Sequence, residues 1–555
     1  MRRAALLFLM IAPAAAQDWT IERVQSVRPE FLVAASRVLD IDGDGRAELL
    51  LIGVNGEVRA WLGDPKTRRL EENPRGELRL PDPKHTLVAF AGFLDERPQL
   101  VALSRKGATL YRVGESGLFS SEGLALASRA KFKLRTGMPV FAEIVQDING
   151  DKRPDLLVPD ESGYALWINR TRDGRAPRLQ KMARIAADVS RFQDSKDDEL
   201  SDTLVSSFSI PRLETVDVNG DGRLDVFVVL GRTRAFHMQR KDGTIPTHPD
   251  VVLDLRIFRD TAPVSALRPG RILAGANRAQ YQSRDLDQDG IPDYVIGHRR
   301  KVWVFHGNKT RPQFTEPSTI LKVSDDVSAL LLTHLDDDAY PDLLIFKMHI
   351  PSVATLMVGA FKSFTVDIYA LGYASEKGRD FNRAPRWKSK ISVTLPSILS
   401  LAKNPGKLLD RVEGIQRKFG RPGRGDLDGD GNPDTLIVSE DQKSLRLWKG
   451  TKTEDEARDE FDLLLRRQLF ERGDQSWTLD EILGFFEALG SKRTTRLTGG
   501  GPPNATLELR DATKFEFVDY ALGDLDGDGA QEIVIRYEPA GFRAAPVFDV
   551  FRVAR

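Results

Sequence analysis

Asp40-Ile41-Asp42-Gly43-Asp44-Gly45-Arg46-Ala47-Glu48 runs directly into the apolar stretch Leu49-Leu50-Leu51-Ile52. Oxygen ligands at positions 1, 3 and 5 of such a turn converge on one side, and position 6 calls for a left-handed backbone, hence glycine. The pattern returns as Asp147-Ile148-Asn149-Gly150-Asp151-Lys152-Arg153-Pro154-Asp155 and Asp217-Val218-Asn219-Gly220-Asp221-Gly222-Arg223-Leu224-Asp225. It continues as Asp285-Leu286-Asp287-Gln288-Asp289-Gly290-Ile291-Pro292-Asp293 and, in weaker form, His334-Leu335-Asp336-Asp337-Asp338-Ala339-Tyr340-Pro341-Asp342. Two clean copies end the series: Asp426-Leu427-Asp428-Gly429-Asp430-Gly431-Asn432-Pro433-Asp434 and Asp524-Leu525-Asp526-Gly527-Asp528-Gly529-Ala530-Gln531-Glu532.

Hard oxygen donors at this spacing suit a cation that takes six to eight oxygens, and calcium fits better than magnesium, which keeps its waters. Position 7 varies (Arg46, Arg153, Arg223, Ile291, Tyr340, Asn432, Ala530), as expected if only its backbone carbonyl is a ligand. An EF-hand is excluded. That motif needs a bidentate Glu at position 12, where this chain has Leu51, Val158, Val228 and Ile296. The acid stands at position 9 instead, followed by a β-branched and leucine-rich run that reads as a strand. One copy alone would be a solvated acidic turn, but seven copies predict calcium loops joining strands, with the 334–342 loop the doubtful site.

Around each loop the pattern is strand, loop, strand, short turn, then a strand carrying an aromatic: Trp61, Trp167, Phe236, Trp303 or Trp448. Packing between repeat units is the expected role of these rings. An eighth unit without ligands lies at Thr86–Phe93, Gln99–Leu103 and Ala108–Val113, joined by the shortened turn Leu94–Pro98. The expected fold is an all-β propeller of seven or eight blades, eight favoured, spanning 17–555. Trp19–Val27 is expected to pair with Val547–Val553 and close the ring.

These copies resemble the FG-GAP/VCBS repeats of integrin α-subunit propellers and of many secreted bacterial proteins. The resemblance covers nearly the whole chain and implies calcium-loop blades, about six ions and a monomer. It leaves the activity open, since that repeat family includes adhesins, lectins, receptor heads and some polysaccharide lyases. Lys152 at position 6, and His334 with Ala339 in the fifth loop, depart from the pattern.

Two long intervals are expected to hold helical insertions, 388–420 and 453–490. The first contains Leu408, Leu409, Val412, Ile415 and Phe419 on one face; the second carries capping boxes Thr453-x-x-Glu456 and Thr478-x-x-Glu481. At the N-terminus, Arg2 and Arg3, the apolar run Ala4–Ile11 and the small residues Ala14–Ala16 read as a signal peptide over 1–16. Export to the periplasm or beyond is therefore expected.

Composition narrows the function. The chain of 555 residues has 81 basic and 81 acidic side chains, so it lacks the positive excess of a nucleic-acid binder. It has no cysteine, which excludes disulfides, thiolate metal sites and thiol nucleophiles. No zinc-protease, serine-hydrolase or phosphate-loop motif occurs, and the seven histidines make no ligand spacing. No apolar run of spanning length follows the N-terminus. The expected function is a secreted calcium-binding module or scaffold, non-catalytic, for a protein or glycan partner. The alternative is a calcium-dependent polysaccharide lyase of the rhamnogalacturonan type, which the chain's layout also resembles.

Overall fold

The computed structural model describes residues 19–554 apart from 94–96, 114–118, 121–122, 128–136, 161, 172–177, 188–189, 194–205, 210–212, 259–278, 325, 350–361, 396, 398–422, 440, 451–465, 472–473, 479–480, 482–497, 499–500 and 541–543. The signal-peptide segment and most of both insertions lie outside the described residues.

Each repeat unit folds as one antiparallel meander, and among the described residues there are eight such sheets. Blade 1 consists of Val33–Leu39, Glu48–Gly53, Glu57–Trp61 and Arg75–Arg79. The unit without ligands is a true blade 2, made of Leu87–Ala91, Gln99–Ser104, Gly107–Tyr111 and Leu124–Ala127. Blades 3, 4 and 5 begin at Val145, Glu214 and Gln280; blades 6, 7 and 8 begin at Val327, Gly423 and Phe515. The protein is an eight-bladed β-propeller.

The last blade is completed by the first strand of the chain. Thr20–Val27 lies antiparallel to Val547–Ala554 as the outer strand of blade 8, the pairing anticipated from the sequence. A buried carboxylate locks this closure. Asp549, 1% exposed, accepts from Arg510 Nε at 2.7 Å and Arg510 Nη2 at 2.8 Å, and Ser26 Oγ donates to it from the N-terminal strand. A charge this deep is tolerated because both of its oxygens are paired.

The core sits between blades rather than at one centre. The second strands are apolar on both faces, as Glu48–Gly53, Gln99–Ser104 and Asp293–His298 illustrate by being buried throughout. A strand with both faces covered reads as a continuous apolar run rather than an alternation. One cluster joins blades 8 and 1 through Leu49, Leu51, Trp61, Val534 and Phe548. Another joins blades 4 and 5 through Phe227, Phe236, Tyr294, Ile296 and Phe305. Among the described residues, apolar clusters span every neighbouring pair except blades 6 and 7, where a second cluster of blade 6 reaches Leu469 instead. The repeat aromatics take part as expected: Trp61 and Phe236 are members of these clusters, and Trp167 and Trp303 pack against them.

The insertion boundaries need correction. Residues 388–395 belong to the fourth strand of blade 6, Trp387–Leu395, whose odd positions Ser389, Ile391 and Val393 face the core. That is a period of two, a strand signature, and it ends at Pro396. Within 453–490, Gln475–Thr478 is also a strand, added parallel to Trp387–Leu395 as a fifth member of blade 6. Helical turn persists over Arg467–Glu471, where Leu469 is buried. The Thr478 capping box forms as expected: Thr478 N–H donates to Glu481 Oε2 at 2.6 Å and Glu481 N–H to Thr478 Oγ1 at 3.2 Å.

Candidate metal centres

All seven loops join the first strand of a blade to its second, so they lie on one face of the ring. Their local order is dictated by short polar side chains bonding nearby backbone. Asp524 shows the pattern at position 1: it accepts Gly527 N–H on Oδ1 at 2.6 Å and Gly529 N–H on Oδ2 at 2.9 Å. Asp40, Asp147 and Asp217 accept the same pair of bonds. Position 3 then accepts from position 5, and position 5 from position 7, as in Asp428 to Asp430 at 3.2 Å and Asp430 to Asn432 at 2.8 Å.

Position 6 is left-handed as expected, with φ between 65° at Lys152 and 89° at Gly529 across the six clean loops. Position 4 is left-handed too, which the sequence reading missed. Gly527 has φ 79°, and an added Cβ there would come within 3.1 Å of Arg46 Cγ in the next loop. An added Cβ at Gly220 would likewise come within 2.9 Å of Ile291 Cγ1 of the next blade. Glycine at position 4 therefore lets successive loops nest together. Backbone bonds strengthen the nesting, with Ala47 N–H on Asp524 O at 2.6 Å and Gln531 N–H on Asp426 O at 2.7 Å.

The acid at position 9 is the most buried acid of each loop, at 2% exposure or less in all seven. One of its oxygens always accepts the N–H of position 2, from Ile41 on Glu48 at 2.7 Å to Leu525 on Glu532 at 2.8 Å. Where the residue is Asp, its second oxygen takes a backbone N–H at the exit of the third strand. Asn169 bonds Asp155, Gln239 bonds Asp225, Gly307 bonds Asp293, Ser375 bonds Asp342 and Gly450 bonds Asp434, all at 2.7–2.8 Å. The side chain at position 2 is an apolar plug, as in Ile41, Leu335 and Leu427, each 0% exposed. A β-branched or leucine residue at position 2 of every copy was the available signal for it.

Burial, reinforced by neighbouring carboxylates, pushes these acids up. Glu48 rises to about 8, Asp155 and Glu532 to about 7, and Asp225 and Asp342 to about 6. Burial also raises Asp42, Asp287 and Asp526 at position 3.

Carboxylates gather within 4.8 Å of one another in four loops: Asp40, Asp42 and Glu48; Asp285, Asp287 and Asp289; Asp426, Asp428 and Asp434; Asp524, Asp526 and Glu532. In blades 3 and 4 an asparagine, Asn149 or Asn219, takes one acidic place and donates Nδ2 to the position 5 aspartate at 3.1 and 3.0 Å. The fifth copy departs from the others. His334 gives position 1 no carboxylate, and neither Asp337 nor Ala339 is left-handed. Its Asp336 pairs with Arg386 at 2.9 Å, while Asp342 keeps both of its structural bonds.

Position 7 carries more than a backbone role. The guanidinium of Arg46 pairs with Asp44, that of Arg153 with Asp151 at 2.8 Å, and that of Arg223 with Asp221. Ile291, 2% exposed, fills the space beside Gly220 and Gly307 instead. Asn432 and Ala530 supply N–H groups to Asp430 and Asp528.

No family model matches the chain, and no curated protein matches it. Solved structures do. A lectin of Agrocybe aegerita, described as recognising non-reducing terminal N-acetylglucosamine, is 14% identical with a TM-score of 0.27, covering 66% of this chain and 81% of that one. The V. cholerae biofilm matrix protein Bap1 is 11% identical with a TM-score of 0.21, covering 96% and 70%. The Dos1 propeller is 11% identical with a TM-score of 0.20, covering 57% and 79%. At these values the likenesses carry no argument about ligand or activity.

Proposed function

We propose that the protein is an exported, calcium-braced propeller of the FG-GAP/VCBS kind that serves as a non-catalytic binding or scaffold module for a glycan or protein partner. Calcium would occupy the loops of blades 1, 3, 4, 5, 7 and 8, held by the oxygens of positions 1, 3, 5 and 9. The observation that carries this reading is the triple of carboxylates brought within 4.8 Å at four separate loops. Like charges so close repel one another, and a divalent cation offsets that repulsion.

The donor set supports a hard ion, since it is all oxygen and includes no sulfur or imidazole. Export is supported by the leader-like pattern of Arg2–Ala16. Among the described residues no helix is long and apolar enough to cross a membrane.

The test has two arms. Equilibrium dialysis of the full chain against calcium should give about six bound ions, and a chain that takes up none sinks the metal reading. A glycan array in millimolar calcium, with an EDTA control, then examines the partner. Calcium-dependent retention of a defined sugar supports a glycan ligand, whereas a blank array directs the search to a protein.

A further inference from the structure

In every loop the Oδ1 atoms of positions 3 and 5 are engaged by backbone N–H groups, so an ion would share the aspartate Oδ2 atoms, and arginines already meet one or both of these in blades 1, 3, 4 and 8. In blade 7 a single lysine holds both. Lys449 Nζ lies 2.5 Å from Asp428 Oδ2 and 3.0 Å from Asp430 Oδ2. The Asp428 side chain is 0% exposed, so this ammonium is its counter-charge in a poorly solvated place. In blade 5 the ring at the equivalent place, His306, meets the position 9 acid instead, with Nδ1 3.2 Å from Asp293 Oδ1.

The position of Lys449 is particular to its blade. It immediately precedes the residue whose N–H bonds the position 9 acid, here Gly450 on Asp434. The same place holds Ile168, Met238, His306 and Ala374 in blades 3 to 6. An ammonium within 3.0 Å of both oxygens stands where calcium–oxygen distances of about 2.3–2.6 Å would have to be made. The two cations therefore exclude one another.

We propose that Lys449 is a tethered competitor that sets the calcium threshold of the blade 7 loop. The loop is neutralised by its own lysine when calcium is scarce and takes the ion only at concentrations that displace the side chain. This rests on the calcium reading above and adds a local control of one site to it.

The test is calorimetric titration of the full chain with calcium, comparing wild type, Lys449→Met and Lys449→Arg. Methionine reproduces Met238 of blade 4, and arginine keeps the charge. In Lys449→Met one site should tighten about fivefold, the size expected on removing one competing ion pair. Lys449→Arg should stay near wild type, and adding Asp428→Asn to Lys449→Met should abolish the gain. In EDTA, Lys449→Met should melt below wild type, because the two carboxylates lose their counter-charge. Superimposable titrations of wild type and Lys449→Met overturn this proposal alone. If no variant takes up calcium, the calcium reading falls and takes this proposal with it.

Discussion

Blades 5 and 6 are neighbours with loops of equal length and opposite character. The 285–293 loop gathers three carboxylates within 4.8 Å, with positions 4 and 6 left-handed at Gln288 and Gly290. The 334–342 loop has a histidine at position 1, no left-handed residue at either position, and an arginine on Asp336. Yet Asp293 and Asp342 make the same two backbone bonds, and Leu286 and Leu335 are the same buried plugs. The loop therefore has two separable parts. Positions 2 and 9 staple the blade together, and positions 1, 3, 4, 5 and 6 complete a place for an ion beside the position 9 acid. Blade 6 has kept the first part and not the second.

The largest effects should come from the staple and should ignore this difference. Asp342→Ala strands the buried Leu335 N–H and the partly buried Ser375 N–H, each costing about 1–3 kcal/mol, so a loss of about 3 kcal/mol is expected in urea melts with or without EDTA. A loss confined to calcium-loaded protein would show that Asp342 acts as a ligand instead.

Next in size is the ion. Calcium at a hundredfold excess over its dissociation constant should stabilise the fold by about 2.7 kcal/mol per site, and EDTA should lower the melting temperature accordingly. Asp287→Ala and Asp426→Ala should shrink the calcium-dependent shift, and Asp336→Ala should leave it nearly intact. Equal effects at Asp287 and Asp336 would erase the distinction between the blades.

The pH dependence follows from the raised position 9 acids. Their folded values stand above the ordinary carboxylate range, so the folded, ion-free protein holds more protons than the unfolded chain. Their favourable contribution is present at low pH and is lost as pH rises through about 6 to 8. In EDTA the melting temperature should fall across that window, and the calcium-induced rise should grow across it. A calcium shift that stays constant from pH 5 to 8 would break this link.

The smallest effect tests the contact between the two loops. Gln288 holds φ 63° at position 4, a conformation that favours glycine, and its Nε2 donates to Ala339 O of blade 6 at 2.7 Å. Gln288→Gly relieves the backbone and removes that bond, two terms of about 1 kcal/mol each and opposite sign, so the net should lie within about 0.5 kcal/mol. A destabilisation of 2 kcal/mol or more, which exceeds either term, would mean that the cross-blade bond dominates.

The repeat grammar was legible in the chain because each loop is local. Asp, Asn and Gly at fixed offsets specify their own turns, and the apolar run behind each loop specifies a doubly covered strand. Blade 2 was legible without ligands, since strand order survives in Gln99–Ser104 and Gly107–Tyr111. The closure by Thr20–Val27 could be inferred from a missing outer strand. Where an insertion was expected from residue 388, the alternation of Trp387–Leu395 went unread, because the strand is longer than its counterparts and runs into the long interval that follows.

Residues far apart in sequence were decided only by the tertiary structure. That Lys449 reaches Asp428 depends on the hairpin bringing the exit of the third strand beside the loop. Arg552 and Arg68 reach the blade 8 loop from the final strand and from blade 1, across the joined ends of the chain. The parallel strand Gln475–Thr478 finds blade 6 from an insertion in blade 7. The physical reason is range. A turn's ligand geometry is set by bonds within nine residues, so spacing alone encodes it. The charge that each loop meets is set by which strands the ring places beside it, and sequence spacing does not carry that information.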